Sequence, residues 1–226
     1  MTHAPSAADS MPASPGGIRR IAPSAVHRIT SNQVVLDLQT AVKELVENSL
    51  DAHASSIDIR FVDYGLVSFE VADNGSGIPQ QDWQGIGLKY HTSKLRDWSM
   101  LQEGKVETFG FRGEAISSLC ALCESISCVT ATQDSAPIGT ILPLLSDGSI
   151  DFPSKTSTDL SSLKKIARQR GTTITVTGLF RKLPVRRKEF EKNVKREYAK
   201  AQVYLQAYAL ISQGVRWNVS NTPKGG

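Results

Sequence analysis

The decapeptide KELVENSLDA, Lys43 to Ala52, sets a glutamate, an asparagine and an aspartate at positions 44, 48 and 51. In a helix this i, i+4, i+7 spacing brings Glu44, Asn48 and Asp51 onto one face. Leu38, Val42, Leu45, Val46 and Ser49 gather on the opposite side, so the helix buries one face and presents a carboxylate and an amide on the other. Asparagine is a mediocre helix former because its amide competes for nearby backbone groups. Asn48 in mid-helix therefore answers either to solvent or to a ligand.

A second carboxylate stands where a strand pattern meets a glycine turn, at Asp73 in DNGSGIP. Gly75 and Gly77 allow positive φ or close approach of backbone to a ligand. A carboxylate there could accept a hydrogen bond from an exocyclic amine, with a flat base lying on the main chain; an ordinary Asp-Asn-Gly turn is the plainer alternative. A third element is ETFGFRGEAISSLCALC, in which Gly110 and Gly113 flank Phe111 and Arg112 before a helical pattern begins at Glu114. Glycine-rich backbone entering a helix N-terminus suits an anion, phosphate above all. Gly171 and Thr172 open an alternating strand, where the threonine hydroxyl could complete a polar contact.

The elements that must position these groups follow from periodicity. The pattern predicts a helix near Asn32 to Ala52 and a β-hairpin from Ile57, Ile59, Phe61 to Val67, Phe69, Val71 around Tyr64 and Gly65. Helices follow near Gln81 to His91 and Glu114 to Leu122, with strands over Ser125 to Thr130, Thr140 to Leu145 and Thr172 to Thr177. A long helix from about Arg186 to Ser212 carries an apolar stripe of Val194, Tyr198, Ala201, Val203, Leu205, Tyr208 and Leu210. Helices and strands mix without strict alternation, which predicts a two-layer α/β sandwich with helices on one face of a mixed sheet.

Taken in order, the four motifs resemble the ATP-binding motifs of the GHKL superfamily of gyrase, heat-shock chaperone, histidine kinase and MutL. The wording KELVENSLDA, DNGSGI, LKYHTSKL, ETFGFRGEA, RGTTITV and LFRKLPVRRKEF is similar to the MutL mismatch-repair family, and to its eukaryotic postmeiotic-segregation branch, over about Ile18 to Trp217. The resemblance implies the GHKL (Bergerat) ATPase fold and a Mg²⁺-dependent ATPase. It implies that Glu44 orients or deprotonates the attacking water, that Asn48 holds the Mg²⁺ bridging the phosphates, and that Asp73 binds the adenine amino group with support from Thr172 through water. Gly75 and Gly77 would line the base pocket. Thr92, Ser93 and Lys94, with Gly110, Phe111, Arg112, Gly113, Glu114 and Ala115, would enclose the phosphates in a mobile lid whose closure drives N-terminal dimerisation with a second MutL-type subunit. Mismatch-recognition proteins as partners and residence in the nucleus come from the same resemblance. Phosphoryl transfer to water asks for a placed nucleophile and charge neutralisation rather than a side-chain nucleophile, which agrees with the residues present.

Competing signatures fail. No Gly-x4-Gly-Lys-Ser/Thr string occurs. His3, His27, His53 and His91 lack metal spacing, and Cys120 and Cys123 form a CxxC inside an apolar run with only Cys128 nearby. These read as buried free thiols in a reducing compartment. With 226 residues and 40% hydrophobic composition the chain can bury one good core. No stretch approaches the roughly 18 apolar residues of a membrane span, so no membrane partner is expected.

Residues 1–17, rich in Ala, Ser, Pro and Gly, predict a disordered tail, residues 18–220 the ATPase domain, and Asp151 to Arg170 an inserted loop centred on 152–169. His53 stands where the family usually has glycine, so the helix end is expected to run differently. The final 221–226 segment resembles an interruption at the entrance to the family's second domain. Lacking that domain's γ-phosphate lysine and the C-terminal endonuclease region, the chain is expected to bind ATP more securely than it hydrolyses it, with no nicking activity; a nucleotide- and DNA-binding module with negligible hydrolysis is the alternative.

Charge is local. Between Arg181 and Lys200 nine Lys or Arg face three Asp or Glu, a balance of +6 in a chain of net charge +4, leaving −2 elsewhere. Arg186, Arg187, Lys188, Lys192, Lys195 and Arg196 thus form either a phosphate-backbone footprint or a solvated face with pairs such as Glu191 and Lys195. The family's association with DNA favours contact, sequence-independent and salt-sensitive.

Overall fold

Asp37 decides where the first part of the chain breaks. The computed structural model describes residues 23–91, 113–154 and 158–224. In place of one helix over Asn32 to Ala52 it has two, α1 (Pro23–Val34) and α2 (Leu38–Asp51). Asp37 is extended, and its Oδ1 accepts the Thr40 N–H at 2.8 Å and the Thr40 hydroxyl at 2.7 Å. This N-cap satisfies donors that would otherwise be orphaned at the start of α2. At the other end His53 takes φ +56°, and the Ala54 N–H reaches back to Ser49 O at 3.1 Å. The histidine therefore adopts the left-handed position that glycine occupies more cheaply.

The predicted hairpin is β1 (Ser56–Val62) with β2 (Ser68–Asp73), antiparallel in the register Ile57 opposite Asp73 to Val62 opposite Ser68. The sheet continues with β3 (Ser125–Ala131), β4 (Ile138–Leu144), β5 (Lys165–Ala167), β6 (Gly171–Thr177) and β7 (Arg216–Thr222). Strand order is β5-β4-β3-β6-β2-β1-β7, antiparallel throughout except for the parallel β1–β7 pair. Among the described residues the other α-helices are α3 (Ala115–Leu122) and α4 (Pro184–Ile211), the latter opening with proline, whose missing N–H costs nothing at a helix start.

Alternation puts Ile57, Ile59, Phe61, Phe69, Val71, Ile174 and Val176 on the covered face, where they meet Leu38, Val42, Leu45 and Val46 of α2 and Leu119 and Leu122 of α3 in one core. On the opposite face Arg60 Nη1 bonds Glu70 Oε1 at 3.0 Å and the Thr175 hydroxyl donates to Glu70 at 3.1 Å. The result is the expected two-layer sandwich, helices over one face of a mixed sheet. Cys120, Cys123 and Cys128 are free and buried, and burial pushes the thiols of Cys120 and Cys128 up to about 12.

Besides the split at Asp37, two expectations need correction. Gln81 to His91 is not a helix but a short 3-10 turn, Gln80–Gly85. Gly85 and Gly87 are poor helix formers, and a Cβ on Gly87 would sit 2.2 Å from Gly148 O, so the chain flattens against the β4 hairpin. Within the region expected as an inserted loop, residues 165–167 form β5, added to the outer edge of β4, and the expectation of a loop in its middle stands beside this strand. On α4, Ala201, Leu205 and Tyr208 are buried and Val194 and Tyr198 packed against the core, whereas Val203 and Leu210 are exposed. The buried set follows i, i+4, i+7, i+11, i+14 from Val194; positions 203 and 210 fall on the far side.

Candidate functional site

A cleft of about 1330 Å³ lies between α2, the turns after β2 and the start of α3. Glu44, Asn48 and Asp51 line it together, as the helical spacing predicts. Asp73, Gly77, Thr172, Gly113, Glu114 and Ala115 line it as well.

Asp73 is the fixed point of one end. Its Oδ1 accepts N–H bonds from Gly75 at 2.8 Å and Thr172 at 3.1 Å, and its Oδ2 lies 3.0 Å from the Ser49 hydroxyl. Burial raises its pKa above the ordinary carboxylate value, and the bonds from Gly75, Ser49 and Thr172 pull the other way. The backbone around it is pinned too. Arg168 Nη2 donates to Asp73 O at 2.9 Å, Arg170 Nη2 to Asn74 O at 3.3 Å, and Asn74 Oδ1 accepts the Ser55 and Ser56 N–H groups at 2.9 Å each. Two glycines make the closeness possible. A Cβ on Gly171 (φ +131°) would stand 2.0 Å from Asp73 O, and one on Gly77 (φ +73°) 2.1 Å from Ala131 O.

Two residues of this end escaped the sequence reading. Ser49 belongs to the helix's apolar side by position, and its hydroxyl turns to Asp73. Thr130, inside β3, accepts the Ile78 N–H at 2.8 Å and lies 3.2 Å from the Thr172 hydroxyl, joining β3, β6 and the Gly77–Ile78 turn. A threonine in a strand interior carries no sequence signal of such a role, because any strand welcomes it.

Nearer the start of α2, Glu44 Oε1 lies 3.3 Å from the Lys43 ammonium, with Asn48 one turn further along the helix. The Lys89 ammonium sits 3.5 Å from Glu114 Oε1 and donates to the Thr30 hydroxyl at 3.1 Å. Beside it α3 begins, its first-turn amides unpaired within the helix and Glu114 O already bonded to Ser118 N at 2.8 Å. Thr92, Ser93, Lys94, Gly110, Phe111 and Arg112, like the tail of residues 1–17, lie outside the described residues.

The basic segment divides in two. Lys188, Lys192, Lys195 and Arg196 are exposed on α4. Arg186 turns inward, with Nη2 bonded to Val35 O at 3.0 Å and to Leu36 O, and its guanidinium 4.1 Å over the Phe180 ring. Arg187 Nη1 reaches Leu66 O and Leu179 O at 3.0 Å, and its Nε pairs with Glu191 at 2.7 Å, so Glu191 is taken by Arg187 rather than by Lys195. Among the described residues no helix is long and apolar enough to cross a membrane.

Residues 36–171 match the family of histidine kinase-, DNA gyrase B-, and HSP90-like ATPases. Over 204 residues the chain is 50% identical to the mismatch repair endonuclease PMS2 of Gallus gallus, covering 90% of this chain and 22% of that protein. It is 50% identical over 205 residues to the DNA mismatch repair protein PMS1 of Arabidopsis thaliana, covering 91% and 21%. The chain thus spans about a fifth of the length of these relatives. A crystal structure of the N-terminal domain of a DNA repair protein superposes with TM-score 0.73 at 43% identity, covering 89% of this chain and 54% of that one. The Aquifex aeolicus MutL ATPase domain complexed with ADP shares the fold, with TM-score 0.57 at 22% identity over 83% of this chain and 64% of that one.

Proposed function

From the premise that this chain belongs to the histidine kinase-, DNA gyrase B- and HSP90-like ATPase family, we propose that it binds and hydrolyses ATP as the N-terminal domain of a MutL-type mismatch repair protein. The observation that carries the reading is two carboxylates lining one cleft, Asp73 locked by three donors beside the end of α2 and Glu44 on the open face of the same helix. Asp73 is suited to the adenine amino group, since its donors fix both oxygens and leave acceptor capacity toward the cleft. Thr172 supports the base and Gly77 lines the same end of the cleft, whereas Gly75, packed against Ala52, serves by holding Asp73 rather than by lining the base pocket. Glu44 takes a proton from the attacking water, which needs only a positioned base within hydrogen-bond reach.

The site fits Mg²⁺. Asn48 offers a hard amide oxygen, and among the described residues no group of three or more His, Cys, Asp or Glu could cage a metal. A cation that keeps its waters and binds mainly through substrate phosphates uses such a sparse protein ligand set. When bound, it neutralises charge on the phosphates. The amides at the start of α3, with Lys89 beside them, then receive the phosphate end.

Closure over the nucleotide of the lid expected from Thr92, Ser93 and Lys94 with Gly110 to Ala115, association with a second MutL-type subunit, meetings with mismatch-recognition proteins and residence in the nucleus belong to the same proposal, supported by the similarity to PMS-type repair proteins. So does sequence-independent DNA contact, which falls to the exposed Lys188, Lys192, Lys195 and Arg196 rather than to Arg186 and Arg187. Turnover and ATP affinity of Glu44→Ala test the core of the reading: turnover should fall at least about 100-fold, within the range for loss of a general base, with affinity kept within about twofold. Unchanged turnover removes Glu44 from its role.

A further inference from the structure

Two buried ionisable groups behind the hydrolytic wall have no task in this scheme. Glu47 of α2 is 5% exposed and Tyr208 of α4 is 8% exposed. The Tyr208 hydroxyl donates to Glu47 Oε1 at 2.5 Å, and Glu47 Oε2 accepts from the Lys43 ammonium at 2.7 Å. The same ammonium lies 3.3 Å from Glu44 Oε1. An unbroken polar chain therefore runs from α4 to the carboxylate assigned to the attacking water.

A buried glutamate is costly unless both oxygens are satisfied, and an apolar residue usually fills such a place more stably. Its neighbours Val42, Leu45 and Val46 show that this part of α2 accepts apolar side chains readily. Glu47 does what they cannot: it anchors the end of a flexible lysine. The Lys43 ammonium carries three donors on a four-carbon stem, so holding it at Glu47 aims a further donor at Glu44. Burial works against the Lys43 charge, and the contacts with Glu47 and Glu44 more than offset it, raising its pKa. Burial and the Glu47 charge raise that of Tyr208, which stays a neutral donor. The shorter Lys43–Glu47 contact makes Glu47 the firm anchor and Glu44 the adjustable partner.

We propose that Tyr208, Glu47 and Lys43 are positioning residues that hold the Glu44 carboxylate in its working orientation and link it to the packing of α4. The proposal rests on the reading of Glu44 as the base. It is tested by steady-state turnover, ATP affinity and thermal melts of the full 226-residue chain, comparing wild type with Tyr208→Phe, Lys43→Met, Lys43→Arg, the Tyr208→Phe/Lys43→Met double variant and Glu44→Ala. Small misplacements of reacting groups cost up to about 100-fold, so Lys43→Met should lose roughly 30- to 100-fold in kcat and Tyr208→Phe about tenfold, with ATP affinity within about twofold. Lys43→Arg, which keeps the charge, should recover most of the loss. Groups acting in series are not additive, so the double variant should be no slower than Lys43→Met alone. Lys43 is partly exposed, so its variants report position even if Tyr208→Phe loosens the fold.

Wild-type kcat in Lys43→Met, losses that multiply in the double variant, or losses confined to affinity would overturn the relay while wild type and Glu44→Ala remain distinct. Wild type turning over no faster than Glu44→Ala would overturn the base assignment itself, and the relay with it.

Discussion

The two ends of the cleft are built on opposite plans. At the proposed base end a half-buried carboxylate is held by donors from three separate segments, Ser49 in α2, Gly75 after β2 and Thr172 at the head of β6. At the wall proposed for hydrolysis one helix carries both Glu44 and Asn48, and among the described residues the contact to Glu44 comes from Lys43 at 3.3 Å. The first arrangement has met its ordering cost before any ligand arrives, which favours affinity. The second leaves room for adjustment. On the proposed reading binding and turnover are separable, and substitutions should sort between them.

The harshest way to break the contrast is to strike the place where strand, turn and base end meet. Gly171→Ala places a Cβ 2.0 Å from Asp73 O on a residue at φ +131°, which should cost about 3 kcal/mol or more, the range of strained-backbone substitutions. For a domain of this size that is a fall in Tm of roughly 6–12 °C, read by calorimetric scan, with ATP affinity lost alongside it. Asp73→Asn is milder and sharper. The amide still accepts from Gly75 and Thr172 but turns an N–H₂ toward Ser49 and the cleft, so ATP affinity should fall about 30-fold, as expected when a recognised donor loses its acceptor. Titration calorimetry measures it, and a normal melt shows that the wall survives.

Acid should act on the same end. Burial raises the Asp73 pKa, and a group raised in the folded state favours folding below its ordinary value and loses that contribution as pH rises through the raised one. Wild-type stability should therefore gain on Asp73→Asn as the solution is acidified toward the carboxylate range, in parallel urea melts. ATP affinity should move the other way, weakening by up to about tenfold per pH unit once the acceptor is protonated. The smallest effects lie outside the cleft: Lys192→Glu and Lys195→Glu should each weaken duplex DNA binding a few-fold and reduce the log–log salt slope by about 1. Arg187→Gln should instead cost about 1–2 kcal/mol of stability, because its bonds go to Leu66 O and Leu179 O.

How far the sequence reaches follows the same division. KELVENSLDA was legible because helical period alone places Glu44, Asn48 and Asp51 together and buries Leu45 and Val46. Asp37 was not, since Val35 and Leu38 keep the apolar rhythm running through the break and hide the cap. The hairpin and β3, β4 and β6 showed in their alternation. β7 did not, because RWNVSNT is a mostly polar edge strand with little to bury, and β5 has only three residues. At the proposed base end the glycine turn and Asp73 were visible, whereas Ser49 and Thr130 reach Asp73, Ile78 and Thr172 only when β2, β3 and β6 are brought side by side. The basic run was visible as charge, but which arginines turn inward depends on carbonyls near residues 35, 66 and 179, far apart in the chain.

The central claim, that the cleft is a nucleotide site whose base end works independently of its hydrolytic wall, is met most directly by titrating ATP into the purified chain by calorimetry. The titrations run with and without Mg²⁺, beside Asp73→Asn and Glu44→Ala. The account predicts Mg²⁺-strengthened binding in the wild type and in Glu44→Ala, and its loss in Asp73→Asn. Equal binding by wild type and Asp73→Asn, or no binding by the folded wild-type chain, would contradict it.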